Sequence, residues 1–269
     1  MSIEGAPDDQ IAPLVRQRRR FEAMLADLSN DEWSSASRCE GWTVQDVVAH
    51  LVGVNRFWHA SVVAGLSGSP TQVLTRFDPA TTPAVMVAQM REFGPADILD
   101  QFVASNDSFL GVLDAIDHDG WAMLAEAPPG HLPIRLLAHH ALWDSWIHER
   151  DIAFPLGLTP PTEADEIRSC LCYVAALSAA LAVGSDDGVA GAYAIRGTDP
   201  TLHLVLDVGE CVVVRDDVGL LEAPCLRGDA VALVEAVSVR SPVPTSIPTE
   251  WQQLLEGLSN VFKPTGSDQ

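Results

Sequence analysis

Basic residues are scarce: 16 Lys and Arg stand against 37 Asp and Glu, a formal charge of −21 over 269 residues. A surface of that sign excludes binding through neutralised phosphates, so no nucleic-acid partner is expected. The one basic run, Arg16, Arg18, Arg19 and Arg20, falls on a first helix and reads as its solvated face. Cysteine is also thin. Cys39, Cys170, Cys172, Cys211 and Cys225 are an odd, scattered set without a C-x-x-C pair, which excludes a disulfide framework and predicts reduced thiols. Cys170 and Cys172 are two apart on a helix and point to different faces, which favours buried thiols over a metal pair. The opening stretch MSIEGAPDDQ lacks the basic start and apolar stretch of a leader, and no run approaches the ~20 apolar residues of a membrane span. The expected compartment is the cytoplasm, with no membrane partner. Internal repeats and extended low-complexity segments are absent as well.

What is present is the make-up of a globular chain, 47% hydrophobic and 20% charged, long enough for one large and one small domain. Ile11, Leu14, Val15, Phe21, Met24, Leu25 and Leu28 recur at helical spacing and predict a first helix from Asp8 to Leu28. Thr43 with Asp46 has the form of a capping box, opening a second helix whose stripe is Val44, Val47, Val48, Leu51, Val54 and Trp58. Helical stretches follow around 84–93 and 95–116, broken at Gly94-Pro95. Another helix runs from near Pro133 to Phe154, and another over 163–183. After Gly184 the periodicity changes. AYAIRG, TLHLVLD and ECVVVRD are short β-branched or alternating runs between turn-formers, which predicts strands, with helices near 228–239 and 249–262 and a disordered tail KPTGSDQ. The expected fold is α+β: a helical bundle over residues 1–184 and a small C-terminal α+β domain over 185–269.

Chemistry concentrates in HHALWDSWIHERD, residues 139–151. On a helix His140, Asp144, His148 and Asp151 share one face, since residues three and four apart are stacked neighbours. A carboxylate and an imidazole one turn apart can reach the same cation, though such a pair alone is more often a surface or buried hydrogen bond. His50 lies beside the apolar stripe of the second helix and should face the bundle interior, where an imidazole needs a partner. Together the two segments can supply two imidazoles and a carboxylate to one point between helices, where bundle metal sites are built. Three protein ligands leave a position open, as catalytic metals require. His140 is a candidate proton shuttle or a buried hydrogen-bonded histidine, and Asp151 either orients His148 or pairs with an arginine.

The segment CEGWTVQDVVAHLVG, Cys39 to Gly53, closely resembles the C-x-G-W-T-V-x-D-V-x-x-H-L motif of the mycothiol-dependent maleylpyruvate isomerase family, part of the DinB-like superfamily of metal-binding four-helix bundles. Asp144, His148 and Asp151 meet that family's D-x-x-x-H-x-x-D signature. GDAVALVEAVSVR, Gly228 to Arg240, is similar to its G-x-x-x-x-L-L-x-x-x-x-G-R helix, with Val239 in place of the glycine. The resemblance spans residues 10–245. It implies a DinB-like four-helix bundle, a C-terminal domain like that of the isomerase, and His50, Asp144 and His148 as ligands of Zn²⁺, with Ni²⁺, Co²⁺ or Fe²⁺ able to occupy the same donors.

The resemblance further implies mycothiol as cosubstrate. A thiol of ordinary pKa, about 8.5, loses its proton on coordination, and the resulting thiolate attacks an electrophilic small molecule. Expulsion of the thiol after bond rotation gives an isomerase; its retention gives an S-transferase. Arg240 is a candidate for holding a substrate carboxylate, its planar fork suiting that task, or for a surface ion pair. Two other readings stand beside this one: a natural-product or hydrolytic enzyme using the metal as Lewis acid without thiol, and a non-catalytic ligand-binding bundle. Either a monomer or a homodimer is compatible with these residues.

Overall fold

The computed structural model describes residues 1–4, 11–76, 78–79, 81–185, 189–219, 222–244 and 247–262. The predicted tail KPTGSDQ and the proposed first turn at residues 8–10 lie outside the described residues. In chain order the elements are β1 (Ser2–Ile3), α1 (Ala12–Ala26), α2 (Asn30–Trp33), α3 (Val44–Leu66), α4 (Thr82–Ala88), α5 (Pro95–Asp114), β2 (Leu124–Ala127), β3 (Gly130–Pro133), α6 (Ile134–Ala153), α7 (Ala164–Gly184), β4 (Gly191–Thr198), β5 (Leu202–Val208), β6 (Val212–Asp216), β7 (Cys225–Asp229), α8 (Ala230–Val237) and α9 (Thr249–Val261). The class is α+β, as expected.

The chain divides into two compact units, Asp9–Pro161 and Met1–Asp8 with Thr162–Gln269. The first is the helical bundle. Helices α1, α3, α5 and α6 each pack against two of the others, α3 on α5, α5 on α1, α1 on α6 and α6 on α3, which closes a ring around one core. Phe21, Leu25, Val47, Val48, Leu51, Ile98, Phe102 and Ile152 fill one end of it, with the rings of Phe21 and Phe102 edge to face at 5.5 Å. The capping box at the start of α3 forms as the sequence predicts. Thr43 Oγ1 accepts from the Asp46 amide and the Asp46 carboxylate accepts from the Thr43 amide, at 3.2 and 3.1 Å, satisfying two otherwise orphaned groups.

Helix α6 is buried along nearly its whole length, which explains why its sequence shows no clean polar face. Pro133 ends β3 and caps α6, one residue earlier than the first-turn position expected of it. The antiparallel β2–β3 hairpin falls within the stretch read as a lead-in to α6. It is four residues a side, too short for alternation to register.

The second unit is a five-stranded sheet in the order β1-β6-β5-β4-β7. Strands β4, β5 and β6 pair antiparallel, while β7 runs parallel to β4 and β1 parallel to β6. The sequence reading placed the domain boundary at residue 184, with the helix over 163–183 in the bundle. The structure places the division at Pro161, because α7 packs on α9, α8, β6 and β5. Periodicity identifies that helix but not which core takes its apolar face. Helix α7 is also long and apolar enough to cross a membrane, contrary to the sequence reading, and most of its apolar window is buried. Its crossing with α9 is close: a Cβ on Gly257 would stand 2.0 Å from the Ser178 carbonyl oxygen.

Candidate metal centre

Two helices of the bundle converge on the site. His50 comes from the second turn of α3, whose start is fixed by the capping box, and Asp144 and His148 come from successive turns of α6. One donor atom from each lies within 4.8 Å of the others. His148 Nε2 is 3.7 Å from Asp144 Oδ1, and the rings of His50 and His148 meet at 5.2 Å, nearly perpendicular. Trp42 closes the other side of His50, ring to ring at 5.4 Å. His148 is buried, whereas His50 and Asp144 are partly exposed, which leaves an approach for a small ligand.

The orientation of His148 is set from behind. Its Nδ1 is 3.0 Å from Asp151 Oδ2, so Nδ1 carries a proton and donates it to the carboxylate. Nε2 is thereby turned toward Asp144. Asp151 is fully buried and also faces Arg38 Nε at 3.7 Å, so both roles considered for it from sequence are present. Cys39 joins this layer, with Sγ donating to Asp151 Oδ2 at 3.3 Å and lying 3.7 Å from His148 Nδ1. The sequence reading took Cys39 only as a reduced thiol. Cys39 belongs to the same motif as His50, eleven residues earlier, and that membership was the available signal.

Burial and neighbouring charges shift the three histidines in opposite directions. Burial pushes His50 down to about 4, and the neighbouring His148 adds to the effect. His140 is likewise pushed down by burial to about 4. Burial works against protonation of His148 too, but the Asp151 hydrogen bond, Cys39 and Asp144 outweigh it and raise it to about 10. Burial opposes ionisation of Asp144, yet His148, His50, His140 and Arg18 together hold it below the ordinary carboxylate range.

The residues fit a divalent cation. Asp144 Oδ2 is buried with no hydrogen-bond partner among the described residues, an arrangement that costs free energy unless something unseen by the protein's own donors meets it. Two imidazoles and a carboxylate are the borderline donors that Zn²⁺ and its neighbours take, and the carboxylate–imidazole support behind His148 is the usual way such a ligand is aimed.

Two other candidates lie elsewhere. His140 is wedged between Trp58 and Trp143, with ring distances of 4.9 and 5.3 Å; it influences Asp144 electrostatically but is not among the residues grouped as ligands. Arg240 belongs to the other compact unit, in the turn after α8, where its Nη1 donates to the Ser238 carbonyl at 3.3 Å. The basic run was misjudged in one member. Arg18 is 0% exposed and crosses the bundle interior, because the helical phase of α1 turns it inward beside Leu14, Phe21 and Leu25.

A four-helix bundle presenting a two-histidine, one-carboxylate cluster that could hold a metal ion, followed by a small α+β unit, defines the class of protein. The chain belongs to the mycothiol maleylpyruvate isomerase family, whose N-terminal domain matches residues 14–153. It is 23% identical over 155 residues to uncharacterized proteins from two strains of Mycobacterium tuberculosis, the match covering 58% of this chain and 59% of each relative. The chain thus spans about three fifths of the length of those relatives. In fold it is similar to the crystal structure of the mycothiol-dependent maleylpyruvate isomerase, with a TM-score of 0.65 at 12% identity, covering 90% of this chain and 93% of that one. A histidine-to-alanine mutant of that enzyme matches with a TM-score of 0.63 at 12% identity, over 87% and 89%.

Proposed function

We propose that this protein is a metal-dependent enzyme that uses mycothiol to act on an electrophilic small molecule, as an isomerase or an S-transferase. The observation that carries the reading is the meeting of His50, Asp144 and His148 donor atoms within 4.8 Å, with His148 tied back through Nδ1 to Asp151. When bound there, a divalent cation would supply an open position that lowers the proton affinity of a thiol. His50 and His148 would hold it through their ring nitrogens and Asp144 through a carboxylate oxygen. Asp151 keeps the proton of His148 on Nδ1, and the Trp42 ring packs against the His50 ring at 5.4 Å. Arg240 is the candidate for holding a substrate carboxylate and His140 for moving a proton near Asp144. Zn²⁺ suits these donors best, with Ni²⁺, Co²⁺ and Fe²⁺ as alternatives.

Elemental analysis of untagged protein, together with its His50→Ala and His148→Ala variants, tests the reading. The parent is expected to hold about one divalent ion per chain and each variant less than about a tenth of that. Consumption of an electrophile such as maleylpyruvate should then depend on added mycothiol. Variants that fold and retain the parental metal content would remove the site.

A further inference from the structure

The bundle holds a buried cation that the proposed chemistry does not use. Arg18 is fully buried, and its guanidinium touches all three of the other bundle helices. Nη1 donates to Asn55 Oδ1 on α3 at 2.8 Å and to Asn106 Oδ1 on α5 at 3.0 Å, and Nη2 donates to the Ala141 carbonyl on α6 at 3.1 Å. Asn55 and Asn106 are themselves fully buried and bonded to each other at 2.7 Å. Every acceptor is neutral. Nε has no partner among the described residues, so the hydrogen-bonding shell leaves the charge uncompensated.

Two carboxylates act on that charge from further off, Asp144 and, less, Glu22. Glu22 is already engaged, by Arg19 at 2.9 Å and by the Asn106 amide at 2.8 Å. Asp144 lies one turn along α6 from the carbonyl that Arg18 grips. Burial lowers Arg18 only to about 10, so it stays protonated at neutral pH. A buried charge without a contact partner is costly.

We propose that Arg18 is a positioning residue of electrostatic kind: acting through Asp144, its charge makes the open position of a cation at His50, Asp144 and His148 prefer an anionic ligand to a neutral one. The proposal rests on the metal reading above and deepens it. The charges show why. Asp144 offsets one unit of a divalent ion and Arg18 restores it, while Asp151 behind His148 is matched by Arg38 at 3.7 Å, so these groups carry two net positive charges until a ligand arrives. A neutral ligand leaves that excess in a low-dielectric interior, whereas a thiolate removes half of it. The same charge competes with the cation for Asp144, so Arg18 weakens metal binding while it strengthens binding of the anion.

These opposite signs make the test specific. Co²⁺ serves as the probe ion, its affinity measured against a chelator, and 2-mercaptoethanol as the probe thiol, followed by the near-ultraviolet sulfur-to-cobalt band. Arg18→Gln keeps donors for the asparagines and loses the charge. It is expected to bind Co²⁺ as tightly as the parent or more so, and the thiol about ten-fold more weakly. Arg18→Lys keeps the charge and should preserve the parental thiol affinity. Asn55→Asp keeps the acceptor for Arg18 Nη1 and neutralises the charge in place, so it should shift thiol affinity in the same direction as Arg18→Gln, and it decides the matter if Arg18→Gln does not fold. Equal losses of Co²⁺ and thiol affinity in these variants, or equal behaviour of Arg18→Gln and Arg18→Lys, would show a purely structural role and overturn the proposal. Failure of the parent to take up about one Co²⁺ would instead overturn the metal reading, and this proposal with it.

Discussion

His148 is a histidine whose protonated form the fold favours, whereas His50 and His140 are held in their neutral forms, and this opposition fixes how stability depends on pH. His148 is raised to about 10 from an unfolded value near 6.5. Its contribution is therefore fully present below 6.5 and is lost as pH rises toward 10. His50 and His140 are lowered to about 4, so the unfolded chain takes up protons first and stability falls as pH drops from 6.5 toward 4. The metal-free protein should have its highest melting temperature near pH 6.5 (the ordinary histidine value), and His148→Ala should flatten the alkaline side of the curve. Cation binding must displace a proton from His148, so at pH 8 uptake should release about one proton per ion, read by titration calorimetry in buffers of differing ionisation enthalpy. Asp151→Asn keeps the volume behind His148 but removes the charge that holds its ring. It should cost about ten-fold in metal affinity with little change in the circular dichroism spectrum.

At the scale of elements, the end of α8 carries a visible irregularity. The Arg240 amide donates to the Glu235 carbonyl at 2.9 Å and the Val239 amide to the Ala236 carbonyl at 3.2 Å, the paired bonds of a Schellman cap. That cap needs a left-handed residue, and Val239 has φ +62°, where a β-branched side chain crowds its own backbone. The family pattern has glycine at this position. Val239→Gly should therefore raise the stability of the C-terminal unit by about 1 kcal/mol, seen as a higher denaturant midpoint. Gly257→Ala should do the reverse, because the new methyl would meet the Ser178 carbonyl at 2.0 Å and force α7 and α9 apart. Both elements are legible in sequence as helices. Their strained and close points are not, because φ and interaxial distance depend on what the helix packs against.

For the whole molecule, the consequential feature is that the first residues of the sequence complete the sheet built by residues 191–229. Ser2 and Ile3 pair in parallel with Val213 and Val214, and the Glu4 amide donates to the Val214 carbonyl at 2.8 Å. Strand β1 thereby covers what would be the open edge of β6. Deleting residues 1–4 should speed amide exchange over residues 202–216 and promote self-association, while the bundle's exchange and its metal content stay unchanged. Joint loss of protection in both units would refute an edge-covering role. A two-residue strand followed by acidic residues has no period to detect, which is why sequence analysis read this terminus for its charge alone.

The sequence by itself determined the long helices and the strand-rich C-terminal segment, and it put His50, Asp144 and His148 forward as candidates on two of those helices, because helical spacing and a capping box are local and a motif resemblance needs no knowledge of the partner. Tertiary structure alone decided the rest. Which unit takes α7, that Cys39 stands behind His148, and that Arg18 lies inside the bundle all depend on contacts between residues distant in the chain, and a local period carries no record of the partner across the core.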